Sequence, residues 1–240
     1  MSHRLAGMGV KGYSVDDPFK VVCSPDKLNE PYKVKKPSRI GVSFMGDLFH
    51  EDVSSEIIYD VFETMRVANH HTYLLLTKRP AELLNIWKPH YLSIHPFPDN
   101  AWLGVTVENQ RTANERIPIL LDIPAVVRYL SIEPMLENIS LWEWFPKGSC
   151  GKPEYTKDMT WELNKDYENG ISWVIFGAES GPGKRPCKLE WIRNGVGQCK
   201  EAGVPVFVKQ LNINGKIVHD INQFPEDLRI QEYPERKEVE

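Results

Sequence analysis

The sequence predicts an α/β protein built on parallel strands, and two observations predict it. Short runs of Val, Ile, Leu and Phe recur six times along the chain, each followed at once by a knot of polar residues. Between several of them lie segments whose apolar residues fall at helical spacing. Runs that are apolar at every position suit strands covered on both faces, as parallel sheets are, and the carboxyl ends of such strands are where these folds carry their sites.

Arg39–Ser43 leads into Gly46-Asp47, Thr72–Leu76 into Thr77-Lys78-Arg79, and Trp102–Val105 into Thr106-Val107-Glu108-Asn109. Val126–Leu130 leads into Ser131-Ile132-Glu133-Pro134, Trp173–Phe176 into Gly177-Ala178-Glu179-Ser180, and Val206–Val208 into Lys209-Gln210. The helices follow the same logic. Glu56–Ala68 sets Ile57, Ile58, Val61, Phe62 and Met65 on one stripe behind an N-cap at Ser54 or Ser55. Pro80 opens a second helix with Leu83, Leu84 and Trp87 inward, and Leu189–Ala202 carries Trp191, Ile192, Val196 and Cys199 up to the stop at Gly203. Asn214-Gly215 marks a turn between short strands. Repeated βα units of this kind close into a barrel or open into a doubly wound sheet, and periodicity alone does not choose.

A chain of 240 residues, 41% of them hydrophobic, is long enough for one sizeable core, so residues 1–240 are read as a single barrel-like domain. Its rhythm breaks at a polar insertion, about 146–170, and in a tail expected to be partly flexible from about 226. The net charge of −4 and the pI near 6.0 give no global attraction to nucleic acid or anionic membranes, which leaves only a local basic groove open. No apolar run is long enough to span a bilayer and no apolar leader opens the chain, so a cytoplasmic protein with no membrane partner is expected. The cysteines Cys23, Cys150, Cys187 and Cys199 are dispersed, without a C-x-x-C pair, and read as reduced thiols rather than as metal ligands.

The strand-end residues are where chemistry is expected. Asp47, nearest the end of its strand, and His50 suit a ligand amine or a metal, whereas Glu51 and Asp52 read as favourable charges before a helix. Lys78 and Arg79 suit a carboxylate or a phosphate, and Arg79 has the alternative of pairing with Glu108 or Glu133. Glu108, Glu133 and Glu179 each stand just beyond a strand, so a closed sheet gathers them near Asp47, and clustered carboxylates need cations: Lys78, Arg79, Lys209, a ligand amine or a metal. His70 and His71 precede the second strand and fall on the other face, which weakens a metal-hydrolase reading. The Gly177–Gly183 loop lets backbone approach a ligand but lacks the G-K-[ST] of a P-loop, and a plain tight turn explains it nearly as well.

At Ser43–Val53, Leu76–Pro80, Trp102–Asn109, Ser131–Leu136, Gly177–Pro186 and Phe207–Leu211, in this order, the chain resembles a phage- and prophage-associated family of unknown function. Gly46 stands where the family has serine and Leu211 where it has tryptophan. Full-length relatives resemble radical S-adenosylmethionine enzymes, with an upstream three-cysteine segment leading into a helix whose end is matched by Arg4–Gly9. The resemblance implies a partial TIM-like (βα) barrel of about six parallel strands, here without its first strand and cysteine loop. It implies a [4Fe–4S] cluster and S-adenosylmethionine in those relatives and no cofactor in this chain. It places Ser43, Asp47, Glu108, Asn109 and Glu179 about the cofactor, Lys78 and Glu133 in catalysis, and Arg79, His50 and Lys209 about the substrate. The chain is then an incomplete member, in a bacterial or phage-infected cell, that is not competent alone. Nucleic acid or a protein are the partners left open, and self-association through the uncovered sheet edge is expected. The alternatives are a cluster-less binding module, with Lys78, Arg79, Lys184, Arg185 and Lys209 on nucleic acid, and a hydrolase with Glu108 or Glu133 as base.

Overall fold

Arg39–Val42 forms β1 and Thr72–Thr77 forms β2, paired in parallel with Arg39 opposite Thr72 and Val42 opposite Leu75. These coordinates are a computed structural model and describe residues 7–8, 15–17, 20–44, 46–87, 96–146 and 170–235. The protein is mixed α/β, its strands mostly parallel, and it divides into two compact units, Met1–Ala101 and Trp102–Glu240. Of the insertion expected at about 146–170, only Pro146 and Gly170 are among the described residues, and Met1–Arg4 and residues 236–240 lie outside them.

In the first unit a 3₁₀ turn, Pro25–Asn29, runs into the one-turn helix α1, Glu30–Lys33. The crossover between β1 and β2 is α2, Ser55–Val67, which buries Ile58, Phe62, Thr64 and Met65 on the stripe its spacing predicts. The Phe62 ring meets Phe97 edge-on with centroids 5.4 Å apart. The two histidines before β2 serve the backbone. Ser38 N–H donates to His71 Nδ1 at 3.2 Å, so the proton sits on Nε2, which donates to Pro31 O at 3.1 Å and ties α1 to the entry of β1. The Asn100 amide donates to Met65 O and His71 O, at 3.0 and 3.1 Å. After β2 comes α3, Pro80–Trp87, begun by proline as predicted.

In the second unit β3 (Ala101–Thr106), β4 (Val127–Ile132), β5 (Trp173–Gly177) and β6 (Val206–Ile213) pair in parallel in chain order. Every residue of β3 is buried, as a strand covered on both faces requires. A Cβ on Gly104 would stand 2.4 Å from the Tyr129 ring, so the ring occupies the space that only glycine leaves. Helix α4, Gln110–Leu121, separates β3 from β4, and α5, Leu189–Glu201, separates β5 from β6. Asn214 and Gly215, at φ of 49° and 76°, turn β6 into the antiparallel β7, Lys216–Val218. Beyond it Phe224 and Leu228 are buried, Val208 N–H donates to Ile230 O at 2.9 Å, and Trp173 Nε1–H donates to Glu232 O at 2.9 Å. Through Glu232 the tail is therefore fastened to β5 and β6.

Candidate functional site

In the first unit the chain leaves β1 through Ser43, whose φ of 53° is left-handed, and Gly46 N–H closes the turn on Ser43 O at 2.9 Å. Leu48 and Phe49 are buried and fix the loop that carries Asp47. The Asp47 carboxylate is well occupied. Phe49 N–H donates to Oδ1 at 3.1 Å and Lys78 N–H to Oδ2 at 3.0 Å, while the Thr77 hydroxyl donates to the carboxylate from 2.8 Å. Arg79 Nη1 lies 3.6 Å from Oδ2. Thr77 Oγ1 in turn accepts from Arg79 N–H at 2.8 Å. Asp47 thus joins the exit of β1 to the end of β2, and brings Lys78 and Arg79 to it. The Lys78 side chain is exposed. His50 Nδ1 accepts from Asp52 N–H at 3.2 Å and lies 3.6 Å from Asp52 Oδ2, so this nitrogen serves its own loop.

In the second unit three glutamates stand at strand ends in three different states. Glu108 Oε2 accepts from Arg116 Nη1 at 2.8 Å, and the same nitrogen donates to Thr106 O at 2.7 Å. Asn109 is the N-cap of α4: its side chain accepts from Thr112 N–H at 2.9 Å and Thr112 Oγ1 accepts from Asn109 N–H at 3.1 Å, a reciprocal cap. Glu179 accepts from the backbone N–H and from two guanidinium nitrogens, Nε and Nη2, of Arg185 at 2.8 to 2.9 Å, and these hydrogen bonds hold its carboxyl down to about 2.

Glu133 differs from both. Its Oε2 accepts from Lys209 Nζ at 3.2 Å and from the Ser131 hydroxyl at 3.3 Å, but its Oε1 is buried with no hydrogen-bond partner among the described residues. The carboxyl lies against Gly177, where a Cβ would come within 2.1 Å of Oε1. Backbone fixes this corner: Met135 N–H donates to Gly177 O at 3.1 Å, Ala178 N–H to Gln210 O at 3.1 Å, and the Gln210 side-chain amide to Ala178 O. Burial, and after it the charge of Glu133, push the Tyr129 phenol up. The ends of β4 and β5 and the middle of β6 therefore share one polar cluster of Ser131, Glu133 and Lys209, floored by Gly177.

Each carboxylate has a cation of its own, but two of these were not anticipated. Arg79 goes to Asp47 and Lys209 to Glu133, whereas Glu108 and Glu179 take Arg116 and Arg185. Arg116 lies on the α4 face that returns to the end of β3, a relation visible only once α4 is recognised, and Asn109 with Thr112 was its signal. Arg185 lies on its partner's own glycine-rich loop, which carries no periodic signal.

The expected iron–sulfur chemistry would ask for three thiolates on one open face. Among the described residues no group of three His, Cys, Asp or Glu is placed to hold a metal ion. Cys187 and Cys199 are buried, and burial pushes both thiols up, Cys187 to about 11, so they are protonated at neutral pH. These donors do not fit the cluster; Cys150 lies outside the described residues. No helix of the described residues is long and apolar enough to cross a membrane.

No curated protein and no solved structure matches the chain. A family model does, over residues 1–223, and the chain belongs to that family, described as protein of unknown function (DUF5131).

Proposed function

We propose that this member of the DUF5131 family binds a small ligand carrying an ammonium group at the carboxyl ends of β4 and β5, beside Lys209 of β6, with Glu133 as the acceptor. S-adenosylmethionine is the ligand that the resemblance to radical enzymes names, and its amino-acid end has the required chemistry. The observation that carries the reading is the buried Glu133 Oε1, with no partner among the described residues and packed against a glycine. An acceptor left unmade costs about 1–3 kcal/mol, and such groups persist where a function uses them. A ligand ammonium donating to Oε1 removes that cost, and Lys209 on Oε2 orients the carboxyl. Glu108 and Glu179 are already closed by arginines, and Asp47 by backbone and hydroxyl donors, so none offers an equal vacancy of acceptor capacity.

The finer readings join here. The repeated βα units support the partial TIM-like barrel of a phage-associated radical-enzyme family, whose three-cysteine segment would be the part that holds a cluster. This chain's described donors do not, and no radical step is assigned to them. Arg39 and Gly41 on β1 are exposed, which supports self-association along that strand. Of the hydrolase reading, Glu133 alone keeps a base that is not held by arginine.

The test is calorimetric titration of the intact chain with S-adenosylmethionine and, as a neutral-sulfur analogue with the same amino-acid end, S-adenosylhomocysteine. Both are expected to bind. Glu133→Gln is expected to weaken both roughly ten-fold, about 1.4 kcal/mol, at an unchanged melting temperature. Absence of binding, or equal affinity in the variant, would overturn the reading.

A further inference from the structure

We infer that the loop after β5 and the β6–β7 hairpin form a binding groove for phosphate groups. The groove has a volume of about 470 Å³ and is lined by Lys184, Pro186, Cys187, Lys188, Asn212 and Gly215. Its charge is positive for a local reason. The one acid of the loop from Gly177 to Lys188 is Glu179, and Arg185 binds it through its backbone N–H and two nitrogens of its guanidinium. The ammonium groups of Lys184 and Lys188 are left with no carboxylate partner among the described residues.

Each lining residue has a place in recognising an anion. Lys188 Nζ stands 5.3 Å from the centre of the Trp191 ring, which holds its side chain against the first turn of α5, beside the groove that Lys188 lines. The Asn212 side chain comes from the last turn-ward residues of β6 and has no hydrogen-bond partner among the described residues, so its amide donors are available. Gly181 and Gly183, at φ of 102° and 70°, bend the loop on one side, and Gly215, at 76°, bends the hairpin on the other. Pro186 and the buried Cys187 line the groove between the two lysines, which is open to solvent, so a lysine–phosphate contact there depends on salt. Lysine meets phosphate as a point charge and asks little of its geometry, so two lysines and an amide suffice for a phosphodiester or a nucleotide. The volume lies within the range of small-ligand sites and exceeds what a lone phosphate fills. The chain as a whole carries −4, so attraction here is a property of this groove and not of the global field. None of these residues belongs to the Glu133 cluster, and the inference stands apart from the ligand read there.

Fluorescence anisotropy of the intact chain decides it, with a labelled single-stranded oligonucleotide as one probe and labelled ATP as the other, across a salt series. Lys184→Ala with Lys188→Ala is compared with a charge-matched control, Lys27→Ala with Lys33→Ala, after thermal melts of both. The groove pair is expected to weaken binding roughly ten-fold at low salt, and on the oligonucleotide to flatten the salt slope by about 1.4, the loss of two contacts to a single strand. Binding of the oligonucleotide assigns the groove to a nucleic-acid backbone, and binding of ATP alone assigns it to a free nucleotide. Binding of neither, affinity unchanged in the groove pair, or an equal loss in the control pair would overturn the inference.

Discussion

Asp47 and Glu133 occupy equivalent places, each an acid just past the end of a parallel strand, one in each compact unit, yet their surroundings differ. Around Asp47 the chain supplies the donors itself: two backbone N–H groups and a hydroxyl, with an arginine beyond. Around Glu133 it supplies a lysine and a serine to one oxygen and leaves the other buried without a partner among the described residues. A carboxylate whose acceptor sites are filled by backbone holds loops together, whereas one with an unused acceptor has capacity for something else. Position at the mouth of a strand is therefore a weaker sign of function than the state of the carboxylate's hydrogen bonds.

The largest effect expected from this contrast is on stability. Asp47→Ala strands the Lys78 N–H and the buried Thr77 hydroxyl, and is expected to cost about 2–4 kcal/mol, read as a lower denaturant midpoint. An unchanged midpoint would remove the distinction between the two acids. Next comes Gly177→Ala. The atom in its way is the end of the Glu133 side chain, which can turn aside, so stability should fall by under about 2 kcal/mol while ligand affinity falls as far as in Glu133→Gln. Retained affinity would show that the glycine does not place the carboxyl.

A smaller effect concerns the thiols. Cys187 and Cys199, both pushed up by burial, should resist alkylation at pH 8 in the folded chain and react on unfolding, as peptide mass spectrometry after iodoacetamide would report. Rapid labelling of both when folded would contradict their burial. The smallest effect is at Glu179. Its folded carboxyl is held down to about 2 from an ordinary 4.5, so its contribution is complete above 4.5 and is lost as the pH falls towards 2. The pair is exposed and adds little stability, and the check is the carboxyl ¹³C shift, which should titrate near 2 and return towards 4.5 in Arg185→Ala.

The ends of β2 to β5 were legible in the sequence because a strand covered on both faces is apolar along most of its length and the polar residues after it mark the mouth. The end of β6 was not, since Lys209 and Gln210, read as following it, lie inside Val206–Ile213, and β1 is exposed or half-buried along its length. Helix α2 was legible for the complementary reason, a clean 3.6-residue stripe. Helix α4 was not: its first six residues, Gln110 to Glu115, are almost all polar, and only the Asn109 and Thr112 cap announced it. The partners of the acids were the least legible. Lys209 lies 76 residues from Glu133, and nothing local distinguishes it from Arg116 or Arg185 as the cation an acid will find. Which acid keeps an unused oxygen depends on backbone N–H groups, whose directions no side-chain pattern encodes. The groove of Lys184 and Lys188 was visible only as two lysines near glycines, since its charge depends on Arg185 having cancelled Glu179.

The most direct measurement is a paired one, calorimetric titration with S-adenosylmethionine and chemical denaturation on Asp47→Asn and Glu133→Gln side by side. The expected result is a crossed pattern: Asp47→Asn loses stability and keeps its affinity, and Glu133→Gln keeps stability within about 1 kcal/mol and loses roughly ten-fold in affinity. The reverse pattern, with affinity lost at Asp47 and stability lost at Glu133, would contradict the assignment of the functional acid to Glu133.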